Sequence, residues 1–177
     1  MKNSVRALTL GAMLTAMSVI RGIFCKNFLD FGAGLFRITF ENLPIILAGI
    51  ILGPVVGGAV GAASDLVSYL LSAQIFAPNF IVTLGAASVG VISGVIARYV
   101  VKKNGYAQII TAGALAHAVG SMIIKPIGLF GYFGWLVLWR VPLYLIRAPL
   151  EITLLCFLYK NASFRKLISF DGKRRKG

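Results

Sequence analysis

Long apolar stretches, separated by short polar or glycine- and proline-containing segments, make up most of the 177-residue chain. A membrane-spanning helix needs about 20 mostly apolar residues, and a helix covered by its neighbours can be shorter. The pattern predicts six transmembrane helices, at about residues 5–24, 41–52, 54–73, 80–101, 107–125 and 141–159. The second is short, and only Gly53-Pro54 separates it from the third, which indicates a tight helical hairpin. We therefore expect an all-α membrane protein in which residues 1–177 form one domain.

The composition agrees with a membrane protein and argues against an enzyme. The chain is 58% hydrophobic and only 13% charged, proportions that a water-soluble surface of this size could not accommodate. Five carboxylates and one histidine leave little for acid–base chemistry, and Cys25 and Cys156 belong to no metal-binding motif. We expect no catalytic residue, no metal and no cofactor bound by this chain. A small membrane enzyme and an autonomous carrier remain as alternatives from other functional classes.

The net charge of +13 is concentrated in three basic patches. Twelve of the 18 basic residues lie in these patches: Lys2 and Arg6; Arg98, Lys102 and Lys103; and Lys160, Arg165, Lys166, Lys173, Arg174, Arg175 and Lys176. Basic residues mark the cytoplasmic side of membrane proteins. With six helices, all three patches and both termini face the cytoplasm, and residues 161–177 form a basic cytoplasmic tail. This favours contact with anionic lipid over nucleic-acid binding.

The remaining charged residues lie within the spans or on the outer side, where an unpaired charge is costly. Arg140, Tyr144, Arg147 and Glu151 share one face of the last helix, and His117, Ser121 and Lys125 share one face of the fifth. A structural Arg147–Glu151 pair and a packing role for His117 are one interpretation. The other is an aromatic-lined mouth on the outer side, in which Lys125 and Arg140 neutralise the acidic groups of a flat ligand.

Small residues recur every four positions in four of the predicted helices, a spacing that lets helix backbones approach closely. The four stripes are Ala12 and Ala16; Gly53, Gly57 and Gly61; Ala86, Gly90 and Gly94; and Ala112, Ala116 and Gly120. Internal packing is the first explanation for any one of them.

Several short motifs resemble the substrate-binding S-components of energy-coupling factor (ECF) vitamin transporters. They are A-M-L-T-A at 12–16, R-I-T-F-E-N-L-P at 37–44, G-P-V-V-G-G at 53–58 and S-D-L at 64–66. K-P-I-G-L at 125–129, W-R-V-P-L-Y-L-I at 139–146 and Glu151 are most similar to the folate-specific members. Segments such as G-P-V-V-G-G also occur in S-components for other vitamins, so riboflavin, biotin or pantothenate is the alternative ligand.

The resemblance implies a multi-pass protein of the bacterial cell membrane that takes up folate or a related anionic vitamin. It would topple in the bilayer with a transmembrane T-subunit and two ATPases, and ATP would be used by those partners. The matching substrate-binding residues are Arg37, Phe80, Lys125, Trp139, Arg140 and Arg147. Ala12 and Ala16 would contact the T-subunit.

Overall fold

The helices of this chain account for nearly all of the part that the computed structural model describes, which is residues 2–28, 30–31, 36–37, 42–71, 79–101 and 105–161. The elements are α1 (Lys2–Phe28), β1 (Asp30–Phe31), β2 (Phe36–Arg37), α2 (Asn42–Leu52), α3 (Pro54–Leu71), α4 (Phe80–Val95), α5 (Tyr106–Ala116), α6 (Lys125–Phe133) and α7 (Arg140–Lys160). The two short strands pair antiparallel, with Asp30 opposite Arg37. The predicted all-α fold is confirmed, and this two-residue pairing is a small addition to it.

Three helical segments of other pitch extend or join these helices. The π-helical segment Ile96–Val100 continues α4, the π-helical segment His117–Ile124 joins α5 to α6, and the 3-10 segment Gly134–Trp139 joins α6 to α7. Helical structure therefore runs from Tyr106 to Trp139, beyond residue 125 where the sequence pattern suggested an end. Pro126 does not end the helix because it lies in the first turn of α6, where a missing N–H costs little.

Five helical stretches in the described residues are long and apolar enough to cross a membrane: Val5–Cys25, Pro54–Leu71, Phe80–Val100, Tyr106–Trp139 and Pro142–Lys160. The sixth apolar helix, α2, has only 11 residues and is about 16 Å long. All residues from Asn42 to Ile51 are buried in α2, as expected for a helix that is hydrophobic all round and surrounded by other helices. The chain is a multi-pass membrane protein with a short helix at its centre.

Glycines bring α2, α3 and α4 into backbone contact. A Cβ atom added at Gly57 would lie 2.6 Å from the Cα of Gly49 and 2.7 Å from the carbonyl oxygen of Gly90. A Cβ atom at Gly90 would overlap the carbonyl of Gly57, and one at Gly61 would overlap the carbonyl of Ala86. The second and third small-residue stripes thus face each other, and their role is internal packing.

The other two stripes have different surroundings. Ala112, Ala116 and Gly120 are buried, and a Cβ atom at Gly120 would lie 3.0 Å from the carbonyl oxygen of Gly85 in α4. Ala12 and Ala16 are exposed on α1. The small residues of α1 therefore lie on the surface of this chain, unlike those of the other three stripes.

The corner between α2 and α3 depends on Gly53 and Arg98. Gly53 has a φ of +94°, a conformation that glycine adopts without steric cost, and Pro54 follows as the first residue of α3. The guanidinium group of Arg98 lies directly over Gly53, where any Cβ atom would overlap it. A cation in this position is close to the carbonyl end of α2, which the helix dipole favours.

We predict that Gly90→Ala destabilises the fold, because the new methyl group would have to push α3 away from α4. Overpacking of this kind costs about 1–3 kcal/mol of unfolding free energy. Thermal unfolding of the detergent-purified variant measures the effect. Gly131→Ala is the matched control, since a Cβ atom at Gly131 has no other atom within 4 Å. Equal melting temperatures for the two variants would contradict the close packing of α3 on α4.

Candidate functional site

The described side chains of the two polar stripes predicted on the fifth and last helices lie inside the bundle. Lys125 and Arg147 are each 6% exposed, His117 is 2% exposed and Glu151 is fully buried. Charged side chains are almost never buried to this extent unless other polar groups surround them. We call the end of the bundle at which α2 and α4 begin the upper end, and the end at which α5 begins the lower end. The buried polar groups extend from mid-bundle towards the upper end.

Lys125 is held by the first residue of α2. Its Nζ donates a hydrogen bond of 3.2 Å to Oδ1 of Asn42, and Nδ2 of Asn42 donates one of 3.2 Å to Oγ of Ser121. Asn42 is 1% exposed. Asn42 was not among the residues predicted from the sequence, although one signal was available: an amide at the start of an uninterrupted apolar helix. These three residues form the amide–lysine cluster.

Closer to the lower end of the bundle, His117 from the stripe of the fifth helix lies against Glu151 from the stripe of the last helix. Nε2 of His117 lies 2.9 Å from Oε2 of Glu151, and both side chains are inaccessible or nearly so. A pairing of Glu151 with Arg147 on the same helix was one of two interpretations of the sequence, and the structure brings His117 to Glu151 from the facing helix. The guanidinium carbon of Arg147 lies 5.2 Å from the ring centre of Tyr144, a cation–π distance.

The π-helical segment His117–Ile124 carries two of the buried polar residues, His117 and Ser121, and ends immediately before Lys125. Its hydrogen bonds are shifted by one residue relative to an α-helix, which changes the direction of the side chains that it presents, and such segments occur frequently at functional sites. The segment packs on α4, where Gly120 lies against Val89 and the carbonyl of Gly85. This contact fixes the height of Lys125 relative to α4.

The predicted aromatic ligands lie at the upper end and are largely exposed. Phe80 is 76% exposed at the start of α4, and Trp139 is 63% exposed at the end of the 3-10 segment. Asn79 caps α4 by accepting from the amide of Ile81 at 3.0 Å, and its own amide donates to the carbonyl of Gly128 in α6. Asn79 therefore ties the beginning of α4, with Phe80, to the helix that begins with Lys125.

Two further predicted ligands have described backbones only. Arg37 lies in β2, opposite Asp30, and Arg140 is the first residue of α7. Their side chains lie outside the described part of the chain. By backbone position, Arg140 directly follows Trp139 and lies one helical turn before Tyr144 on the same face of α7.

Asp65 lies in a second, smaller polar region between α1, α3 and α4. Oγ1 of Thr83 donates a hydrogen bond of 2.6 Å to Oδ2 of Asp65. Beside it is a cavity of about 10 Å³, which is the size of one water molecule. The cavity is lined by Ser18, Ile45, Ser64, Asp65, Ser68 and Ala86. It is far too small for a vitamin, so the buried cations near α6 and α7 remain the better candidate site.

The candidate site is suited to an anionic organic ligand rather than to a metal ion. In the residues that the structure describes, no group of three His, Cys, Asp or Glu side chains is placed to hold a metal. The site instead offers a lysine whose hydrogen-bond partner is a neutral amide, an arginine stacked on a tyrosine, and exposed aromatic rings at the same end. These groups bind carboxylates and flat rings.

Comparisons with protein families and with solved structures both give matches. The family model described as the substrate-specific component of ECF transporters matches residues 6–160. Among solved structures, the chain is similar to the one described as the crystal structure of FolT bound with folic acid, with 26% sequence identity, a TM-score of 0.60 and 92% of each chain covered. A comparison with curated protein sequences found no match.

The family match spans most of the chain, and it confirms the resemblance carried by the sequence motifs. It makes the buried cations and exposed aromatic rings part of a transport component and not of an enzyme. The chain belongs to the family of substrate-specific components of ECF transporters.

Proposed function

We propose that this chain binds folate and delivers it across the bacterial cell membrane together with a T-subunit and two ATPases. The observation that carries the proposal is the likeness, over 92% of both chains, to a FolT structure that contains folic acid. The site chemistry supports the same ligand class. Folate combines a flat heterocycle with carboxylates, and the upper end of the bundle combines aromatic rings with Lys125 and Arg147.

In this proposal the upper end faces outward. Phe80 and Trp139 would stack on the ligand ring system, and Arg37 and Arg140 would approach it from β2 and from the start of α7. Lys125 and Arg147 lie deeper and would neutralise the carboxylates. A buried cation favours an anionic ligand strongly because the surrounding apolar atoms do not screen the charge. ATP and its hydrolysis belong to the partner subunits, and this chain uses no cofactor.

We predict that the purified chain alone binds folate at one-to-one stoichiometry without ATP, because the binding residues all belong to this chain. Isothermal titration against folate, riboflavin, biotin and pantothenate measures the affinity for each vitamin. If another vitamin binds tightly and folate does not bind, that vitamin is the ligand in place of folate. Failure to bind any of the four would contradict the assignment of the site.

We predict that Arg147→Met lowers the affinity for folate about tenfold or more, since one charge-assisted hydrogen bond contributes about 1.5–3 kcal/mol. Methionine keeps most of the side-chain volume, so packing against Tyr144 changes little. The matched control is Lys160→Met, which removes an exposed cation at the other end of α7. Unchanged folate binding by Arg147→Met in a correctly folded protein would remove Arg147 from the site.

The T-subunit contact is proposed for the exposed stripe of α1. We predict that Ala12→Leu or Ala16→Leu abolishes folate uptake by cells that contain the complete transporter but leaves folate binding by the purified chain unchanged. A leucine there would block the approach of a partner helix without reaching the ligand site. Ala114→Leu makes the same change at an exposed alanine of α5 and should not affect uptake. Equal loss of binding and uptake would contradict the partner role.

A further inference from the structure

Two neighbouring helices depart from regular α-helical geometry at the same level of the bundle. α5 ends at Ala116, and the π-helical segment that follows begins with His117. In α7, Pro149 lies inside the helix and has no N–H to donate to the carbonyl four residues earlier, so the helix can bend there. Glu151 comes two residues after this proline, and its Oε2 lies 2.9 Å from Nε2 of His117. The contact between the two side chains thus joins the two irregular points.

The two helices are closely packed on the lower side of this contact. A Cβ atom added at Gly113 of α5 would lie 3.0 Å from Cγ1 of Ile152 in α7. Ala112 and Leu155 are fully buried in the hydrophobic core. Because densely packed apolar groups resist movement, the lower segments, which are α5 and the part of α7 after Glu151, form a rigid base.

The upper segments carry predicted ligand groups. They are the π-helical segment with α6, which begins with Lys125, and the part of α7 before Pro149, which includes Tyr144 and Arg147. Each upper segment continues a lower one through an irregular point, where its direction can change. The placement of Lys125 relative to Arg147 therefore depends on what holds the two irregular points together.

The contact between His117 and Glu151 is directional and protected from water. The side chains are 2% and 0% exposed. A buried carboxylate without a polar partner is costly, which favours the arrangements of α7 in which Glu151 stays beside the imidazole. Apolar side chains could fill the same space, but they would impose no such directional requirement.

We propose that His117 and Glu151 are positioning residues, which fix the upper part of α7 relative to the π-helical segment and so set the distance between Arg147 and Lys125. This inference rests on the proposed function, in which those two side chains are the deep ligand groups. Neither His117 nor Glu151 needs to touch the ligand. Their effect on folate binding should pass through the relative placement of the two upper segments.

The first test uses the double variant His117→Leu/Glu151→Met, which removes both polar groups and so leaves neither of them buried without its partner. It should fold and bind folate about tenfold or more weakly, as if one charge-assisted contact were lost. His117→Gln should keep most of the affinity, since its amide can donate to Glu151. Full affinity in the double variant would overturn the positioning role.

A background of Arg147→Met shows whether the effect passes through the upper part of α7. There the change His117→Leu/Glu151→Met should weaken folate binding much less than it does in the wild-type background, because the contact that it misplaces is already absent. Equal losses of affinity in the two backgrounds would overturn the positioning role.

A second readout needs no ligand. Pulsed electron paramagnetic resonance measures the distance between two spin labels, which are attached to introduced cysteines after the two native cysteines have been replaced by alanine. One pair of labels, at the exposed positions of Phe130 and Leu145, spans the upper segments. The control pair, at the exposed positions of Leu115 and Leu154, spans the lower segments.

In the double variant and in His117→Ala, the distance distribution of the upper pair should broaden, and that of the lower pair should stay as in the wild type. A general loss of packing would broaden both distributions, and a contact that sets no geometry would leave both unchanged. Either result would overturn the positioning role. If the wild-type chain binds no folate while the upper distribution alone broadens, the positioning role is supported and the folate assignment alone is overturned.

Discussion

Backbone contact between α3 and α4 is the constraint on which the candidate site depends. Gly57 and Gly90 have no side chains at the crossing, so the two helices meet at their peptide groups. Gly49 of α2 fits against the same part of α4, and α2 is enclosed along its length. The start of α2 therefore has a fixed place in the bundle, which brings Asn42 to Ser121 and Lys125. These glycines do not belong to the amide–lysine cluster, yet they determine where it forms.

Each of three buried or half-buried ionisable side chains has a polar group of another helix within hydrogen-bonding distance. Glu151 lies against His117, and Asp65 accepts from Thr83. Lys125 is bonded to a neutral amide at 3.2 Å. A hydrogen bond donated to a neutral acceptor meets the directional requirement of an ammonium ion. Charged groups inside a membrane protein are costly, and polar groups such as these around them lower that cost.

The features that depend on local pattern could be predicted from the sequence. Those that depend on contacts between residues far apart in the chain could not. Hydropathy predicts the helices, and the four-residue spacing predicts that His117, Ser121 and Lys125 share a face and that the Gly57 and Gly90 stripes pack. Asn42 could not be placed in this way, because its partners lie 79 and 83 residues further along the chain. The contact between His117 and Glu151 was not predicted either, since it joins two helices whose relative placement the local pattern does not give. The helical structure extends past the predicted end at residue 125, because Pro126 lies in the first turn of α6, where its missing N–H costs little.

The small-residue stripes differ in whether they pack within this chain or lie exposed on its surface. Three stripes consist of similar small residues and are buried where helices of this chain cross, while Ala12 and Ala16 are exposed. Large apolar residues flank them on the same surface, with Leu8 74%, Met13 65% and Ile20 68% exposed. Lipid tails gain nothing from a small residue in such a surface, because they are as apolar as the helix itself. A second helix does gain, since the two alanines let its backbone approach while the larger side chains pack on either side. The same property that makes glycine useful between α3 and α4 thus makes this face of α1 able to accept a closely packed helix.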